Sequence, residues 1–549
     1  MHRAAAVYLT LALLFAAPLS LQAAPGAPPA VVESLREQLD VLTATGGLEL
    51  DGQPLVAVRS LPSLYAANGF APFWNAARLQ VLLGLIRASD NDGLLPADYP
   101  LAALTRRAAG GAWSPIDQAR LDLLATDAYA LLLYHGYFGK VDPRSLDPNW
   151  NYELREIGER DPIALLVETL RAGDLKATLA AVRPANALYG WARESLADPR
   201  RIAARGGWPT VPAGPTLRTG DEDPRVQALR ARLVVTGELS ADAANGESFD
   251  SMLESAVWSF QARHNLTADG IVGRTTLAAL NVPVEARIDQ IRLNLERGRW
   301  VLNQIGDGDQ VIVDVAGFEV RVASNGRTLW RSRAVIGKPY RQTPIFRASI
   351  DHVVLNPTWT VPPTILAKDV LPAIRRNRGY LAQHRMSVID RNGRVVDPTT
   401  IDFSRYTGRN FPWMIRQDPG PQNSLGLVKI MFPNPHLVYL HDTPAKSLFR
   451  EDARSFSSGC IRVEQPFDLV ERLLATTPGW DRASIDAAVA TGKTRTVRLA
   501  KPIPVLLLYW TIDRGENGET LFKADPYDRD PTLLAALDRP FAAGSRLRP

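Results

Sequence analysis

Ser457-Ser458-Gly459-Cys460-Ile461-Arg462 holds the single cysteine of the chain. Upstream, Val438-Tyr439-Leu440-His441-Asp442-Thr443 ends an apolar strand pattern on a histidine. A cysteine nucleophile reacts as its thiolate, and a thiol with a pKa near ~8.5 is mostly protonated at neutral pH. A nearby imidazole takes that proton, and the imidazolium then stabilises the thiolate. His441 stands where its ring can turn toward Cys460. Gly459 lets the backbone approach a substrate closely, and the amides of Gly459 and Cys460 are candidates to face a carbonyl oxygen as charge develops on it.

The N-terminus bears on why this cysteine is alone. Met1-His2-Arg3 is basic, Ala4 to Ala17 is apolar, and Leu21-Gln22-Ala23 ends in the small residue a signal peptidase needs. Residues 1–23 are therefore expected to be a signal peptide, and the mature chain to work in an oxidising compartment. The competing expectation, an uncleaved anchor, meets an apolar run shorter than the ~20 residues that span a bilayer. An unpaired cysteine in an exported chain points to an intermolecular disulfide or a reactive thiol. Its surroundings favour the second. No later segment has the length and apolarity of a transmembrane helix; Val505 to Trp510 has strand length and follows a proline.

A chain of 549 residues should form roughly three or four domains. Its 46% hydrophobic and 22% charged content is that of a globular protein. The formal charge of +5 permits weak attraction to an anionic polymer. There is no Lys/Arg stripe with interleaved aromatics, so nucleic acid is not an expected partner.

From residue 31 to 205 the pattern is helical. Leu35, Leu39 and Leu42 share a face, as do Leu79, Leu82, Leu83 and Ile86. Asp90-Asn91-Asp92-Gly93 superficially suggests a calcium loop but lacks the further ligands, so it reads as a turn. A scaffold role is the default here. Gly206 to Pro215 is rich in Gly and Pro and reads as a linker. In residues 220–282, Val226, Leu229 and Leu233 form one apolar stripe and Leu253, Val257 and Phe260 another. Asp269-Gly270-Ile271-Val272-Gly273-Arg274-Thr275-Thr276 then leads into a third helix. This segment resembles the three-helix peptidoglycan-binding module, on Asp269, Gly270, Gly273 and Thr276; whether it binds or only packs stays open.

From Val311 the apolar period becomes two, through Val313, Val315, Val320 and Val322, with Asn325-Gly326 suited to a type I′ hairpin. An antiparallel β domain is expected over residues 300–500, interrupted by an insertion from Lys368 to Pro421 that could cover the site. Residues 501–549 are expected to be C-terminal strands and tail. The fold class is thus multi-domain α+β: helical scaffold, peptidoglycan-binding module, and a mainly β catalytic domain with a capping insertion.

The His441 and Ser-x-Gly-Cys-x-Arg blocks at this spacing resemble the signature of the L,D-transpeptidase (YkuD-type) catalytic domain, a family of cysteine acyltransferases of the bacterial cell wall. Many members have Ser-His-Gly-Cys where this chain has Ser458 in the second place. The large subgroup with a scaffold and a peptidoglycan-binding module has the Ser-Ser-Gly-Cys form and an inserted cap. The resemblance implies that Cys460 is the nucleophile, His441 the general base and acid, Gly459 an oxyanion amide, and Tyr439 a neighbour of the oxyanion. It implies that Asp442 orients the His ring, through its carbonyl rather than its carboxylate. Arg462, Ser457, Ser458 and Trp359 are the expected substrate contacts. For Arg462 a structural salt bridge is the alternative, and for Trp359 a plain core position.

The implied reaction expels D-alanine from a tetrapeptide stem through a thioester and transfers the acyl group to a diamino-acid side-chain amine, giving a 3-3 cross-link. It implies peptidoglycan stems as partners, possible cooperation with other wall synthases, a periplasmic location, sensitivity to carbapenems and no cofactor. Three alternatives stand beside it. A hydrolase or L,D-carboxypeptidase would use the same residues, and a non-catalytic wall-binding protein would not need them. Zinc on His436, His441 and Cys460 is disfavoured, because an odd spacing along a strand sends two of these side chains to opposite faces.

Overall fold

Apolar periodicity sorts the chain into separate hydrophobic cores, which the computed structural model describes over residues 28–110, 113–147, 150–157 and 161–541. The N-terminal signal expected at 1–23 lies outside the described residues. No helix among those residues is long and apolar enough to cross a membrane.

In the scaffold, Leu35, Leu39 and Leu42 of helix Pro29–Thr45 and Leu79, Leu82, Leu83 and Ile86 of helix Ala76–Ala88 pack into one core with helix Pro115–Phe138. Buried Asp122 on that long helix accepts the N–H groups of Phe73 and Trp74 at 3.0 and 2.9 Å and the Tyr65 hydroxyl at 2.7 Å. It thereby satisfies a loop that would otherwise bury unpaired donors. The Asp90–Gly93 segment is a 3₁₀ turn closed by Gly93 at φ 73°. Asp92 there pairs with Arg183 at 2.6 Å and Arg193 at 2.8 Å.

The second unit packs Val226, Leu229, Leu233, Leu253, Val257 and Phe260 into its own small core. Its Asp-Gly turn is held by buried Gln261, whose Oε1 accepts from the Asp269 and Gly270 amides at 3.0 and 2.8 Å. The same side chain donates to Asp269 Oδ1 at 2.8 Å. This unit rests against the third: the Thr267 amide donates to Asp452 at 2.9 Å, and the His264 ring stacks 5.7 Å from Phe522.

Helix Val284–Val301 links the parts. On it Glu296 and Arg299 form a fully buried ion pair at 2.5 Å, and Glu296 also accepts the Val141 amide at 2.7 Å. Arg292 and Arg297 reach Asp538 and Asp530, at the two ends of C-terminal helix Asp530–Asp538.

The third unit is a nine-stranded sheet. Its strands are β1 (Gln310–Asp314), β2 (Glu319–Ser324), β3 (Arg327–Gly337), β4 (Arg347–Leu355), β5 (Val428–Met431), β6 (Leu440–His441), β7 (Ser455–Ser457), β8 (Ile461–Val463) and β9 (Arg495–Leu508). Their order is β7-β3-β8-β6-β5-β4-β9-β1-β2, and a further β2–β3 pairing closes eight of them into a ring. Asn325 and Gly326, at φ 49° and 72°, make the β2–β3 hairpin. The sheet is mixed rather than antiparallel: β6–β8, β3–β7 and β1–β9 are parallel pairs. Connections through helices supply the parallel pairs, which alternation alone does not reveal.

Two boundaries differ from the sequence expectation. The insertion has its own core beginning at Val361, and Trp359–Thr360 pairs with Met414–Gln417 in its four-stranded sheet, so the unit starts before Lys368. Strand β9 runs through residue 500, so the segment after it belongs to the main sheet. Hairpin Ile512–Arg514/Thr520–Phe522 and helix Asp530–Asp538 then return to the long linking helix.

Breaking the buried Glu296–Arg299 pair leaves an uncompensated charge, which costs about 3–5 kcal/mol. Glu296→Gln should therefore lower stability by about that much in urea unfolding followed by scaffold fluorescence; a loss below about 1 kcal/mol would contradict the pairing.

Candidate active site

Period-two alternation on three neighbouring strands builds the site. On β8, Ile461 and Val463 are fully buried in the core, so Cys460 and Arg462 face the other way. Beside it, Val438 and Leu440 are buried and Tyr439 and His441 take the opposite face. The parallel register sets Leu440 against Ile461 and His441 against Arg462, so Tyr439 falls next to Cys460. The antiparallel β5 adds Lys429 opposite His441. One face thus carries Cys460 and Tyr439, with Arg462, His441 and Lys429 in the adjoining row.

His441 is buried, and its Nδ1 lies 2.5 Å from the Asp442 carbonyl oxygen. That contact puts the proton on Nδ1 and leaves the lone pair on Nε2. The Asp442 carboxylate is occupied elsewhere, accepting from the Leu427 amide at 2.9 Å and Lys446 Nζ at 2.6 Å. Gly426, at φ 60°, lies under it; a Cβ there would come within 2.5 Å of the Asp442 side chain. The rings of Tyr439 and His441 meet edge to face at 5.6 Å. Tyr439 also interacts with half-buried Trp359, which packs on the insertion core.

The loop that carries Cys460 is held by its own side chains. Ser457, buried, donates from Oγ to the Cys460 carbonyl at 2.5 Å and accepts the Gly459 amide at 3.1 Å. Ser457 thus staples the loop, and the Gly459 amide is engaged by its hydroxyl in this structure. The Cys460 amide has no acceptor among the described residues. Gly459 has φ 114°, strained for any side chain. Its carbonyl accepts from Thr343 Oγ1 at 2.9 Å, and Thr343 Oγ1 accepts the Gly337 amide at 3.0 Å. Tyr527, from the C-terminal segment, donates to the Gly337 carbonyl at 2.8 Å and accepts the Thr343 amide at 3.0 Å. Exposed Ser458 accepts from Arg341 at 2.7 Å, and Arg341 also pairs with Asp369 of the insertion at 2.9 Å.

Cys460 is free and half-buried. Its Sγ has a distant polar contact with the Leu437 carbonyl at 3.9 Å, and no hydrogen bond joins it to His441 in this state. Burial pushes the thiol pKa up, against the pull of Tyr439, Lys429 and Arg462. Burial also pushes His441 down to about 3, helped by Arg462 and Lys429 and opposed by the Asp442 and Leu425 carbonyls. The resting pair is therefore thiol and neutral imidazole. His436 packs against Phe346 with ring centroids 5.1 Å apart. Among the described residues no group of three or more His, Cys, Asp or Glu side chains could hold a metal ion.

Lys429, Gly426, Thr343, Arg341 and Tyr527 were not singled out in the sequence. Each acts through a tertiary neighbour; only the glycine in Leu425-Gly426-Leu427 offered a local hint.

Two outcomes follow. Because His441 is already neutral well below pH 5 and the thiol titrates high, iodoacetamide alkylation of Cys460 should rise steadily to pH 9 with no inflection between pH 5 and 8. A plateau reached below pH 7 would indicate a resting thiolate–imidazolium pair instead. Gly426→Ala should displace Asp442 and with it the carbonyl holding His441, lowering turnover at this site by about tenfold or more at near-normal substrate affinity. Unchanged turnover would sink that role for the glycine.

Comparison with known proteins finds three matching domains. Residues 308–495 match the L,D-transpeptidase catalytic domain, 59–196 a scaffold domain, and 222–280 the domain described as "Putative peptidoglycan binding domain". A protein of Haemophilus influenzae named "Putative L,D-transpeptidase" is 32% identical over 253 residues, covering 46% of this chain and 50% of its own length. The chain thus spans about half the length of that curated relative. A solved L,D-transpeptidase from Stackebrandtia nassauensis shares 12% identity over 55% of this chain and 96% of its own, with a TM-score of 0.21. L,D-transpeptidase 1 of Mycobacterium tuberculosis shares 15% over 37% of this chain and 62% of its own, with a TM-score of 0.15. Scores this low carry no argument. The sequence matches do: the chain carries an L,D-transpeptidase (YkuD) catalytic domain together with a scaffold domain and a peptidoglycan-binding domain.

Proposed function

We propose that this chain cross-links peptidoglycan stem peptides by acyl transfer through Cys460, acting outside the cytoplasm. The observation that carries this reading is the β6–β8 register, which sets Cys460 beside Tyr439 and Arg462 beside His441 within the matched catalytic domain. His441 Nε2 accepts the thiol proton as Sγ attacks the carbonyl of the third stem residue, a diamino acid. The developing oxyanion is met by the Cys460 amide, with Tyr439 at its flank. The C–N bond to D-alanine breaks, its nitrogen leaves with the proton from His441, and a thioester remains. The neutral side-chain amine of a second stem then attacks the thioester, giving a proton to His441 as its C–N bond forms; the C–S bond breaks and Cys460 takes that proton from His441. The product is a 3-3 cross-link.

The Asp442 carbonyl keeps the required tautomer, and the insertion, tied to the nucleophile loop through Arg341, limits water at the thioester. Thr267–Asp452 and His264–Phe522 support packing as at least one duty of the peptidoglycan-binding unit.

Incubation with defined tetrapeptide fragments should yield cross-linked dimers and free D-alanine by mass spectrometry. Tripeptide without any dimer would replace the transferase reading with a hydrolytic one. Cys460→Ala should abolish both products, and a carbapenem should add its mass to the intact wild-type protein alone. His441→Ala should slow acylation by about 10²- to 10⁴-fold; an unchanged rate would remove it as the base.

A further inference from the structure

Lys429 stands next to the catalytic pair without a part in the chemistry above. The β5–β6 register places it opposite His441, and β6–β8 places Arg462 on the ring's other side. The imidazole is therefore flanked by two cations in one row of the sheet. Lys429 is half-buried, with its ammonium 4.0 Å from the centre of the Tyr439 ring. No carboxylate, carbonyl or hydroxyl among the described residues accepts a hydrogen bond from it. Arg462 is in the same condition, and its Nε is buried with no partner.

Charges withdrawn from water are normally paired. Two other buried lysines follow that rule, Lys140 on Asp98 at 2.7 Å and Lys523 on Asp314 at 2.5 Å. The nearby acids do not relieve Lys429 and Arg462. Asp442 is paired with Lys446 at 2.6 Å and Glu464 with Arg333 at 2.7 Å. Both unpaired cations lie close enough to Cys460 for their charges to act on its thiol. A surplus of positive charge is thus held beside the reacting atom.

We infer that Lys429 and Arg462 form a carboxylate-binding site for the donor peptide, with Lys429 the residue that selects donors bearing that charge. The inference rests on the acyl-transfer reading for its substrate. Two donor carboxylates lie near the scissile carbonyl: the C-terminal one of the leaving residue and, where the diamino acid carries one, its side-chain carboxylate. Either would neutralise the cations as it sets the carbonyl against Sγ. The Tyr439 face steers the ammonium, and a methionine at 429 would keep the stem's volume without the charge.

The first test needs no muropeptide. Cys460 is alkylated with iodoacetate and with iodoacetamide in the full-length wild type, Lys429→Met and Lys429→Arg, with thermal melting as the check on folding. The iodoacetate-to-iodoacetamide rate ratio should fall about 10-fold in Lys429→Met and be largely kept in Lys429→Arg. An equal slowing of both reagents would overturn the site and leave Lys429 as a general influence on the thiol. The second test compares kcat/KM for a free-acid donor, a C-terminal amide and a side-chain amide. Lys429→Met should cost the free acid about 10- to 100-fold and leave one amide nearly unaffected, which identifies the bound carboxylate. An equal cost for all three would overturn the inference. If the wild type processes no donor, the acyl-transfer reading fails, while the alkylation ratio still decides whether the anion site exists.

Discussion

The parallel pairing of two very short strands, Leu440–His441 with Ile461–Val463, is the constraint on which the site depends. Apolar residues on one face of both strands are buried without exposure, and that burial leaves the register little freedom. A slip by one residue would put His441 into the core and Leu440 beside Cys460. The arrangement of thiol, phenol, imidazole and guanidinium therefore rests on ordinary core packing. The Cys460 loop adds local order through Ser457, and Thr343, Gly337 and Tyr527 brace it from behind. Because Tyr527 comes from beyond the main sheet, the C-terminal segment supports the site as well as the fold.

Electrostatics at the site lean against charge on the imidazole and toward negative charge in the cleft. Burial, Arg462 and Lys429 all disfavour the protonated ring, while the same two cations favour the thiolate. A resting thiol beside a neutral base is less reactive toward adventitious oxidants than a standing thiolate. For a lone cysteine, activation only when a substrate is seated would be protective. The insertion fits that picture, since Arg341 connects Asp369 to Ser458 at the edge of the nucleophile loop.

The sequence made some of this legible and hid the rest for physical reasons. Cys460 and His441 stood out because their chemistry demands rare residue types in a recognisable local context. The scaffold stripes and the Asn325-Gly326 hairpin followed from periodicity and from backbone preference, and the turn over residues 269–276 from its resemblance to the peptidoglycan-binding module. Lys429 did not stand out, because nothing local says that β5 lies beside β6. The engagement of the Gly459 amide by Ser457 was likewise hidden, since a serine two residues earlier has several competing partners. The mixed sheet was missed because alternation reports which face is buried and carries no direction. The early start of the insertion was missed because Trp359 and Thr360 read equally well as part of the main β domain.

The most direct measurement of the central claim is rapid acid quenching of the full-length enzyme with a tetrapeptide donor and no acceptor, followed by peptide mapping. The account predicts an adduct equal to the donor minus D-alanine on the peptide containing Cys460. Cross-linked product formed with no acyl group ever found on Cys460 would contradict it.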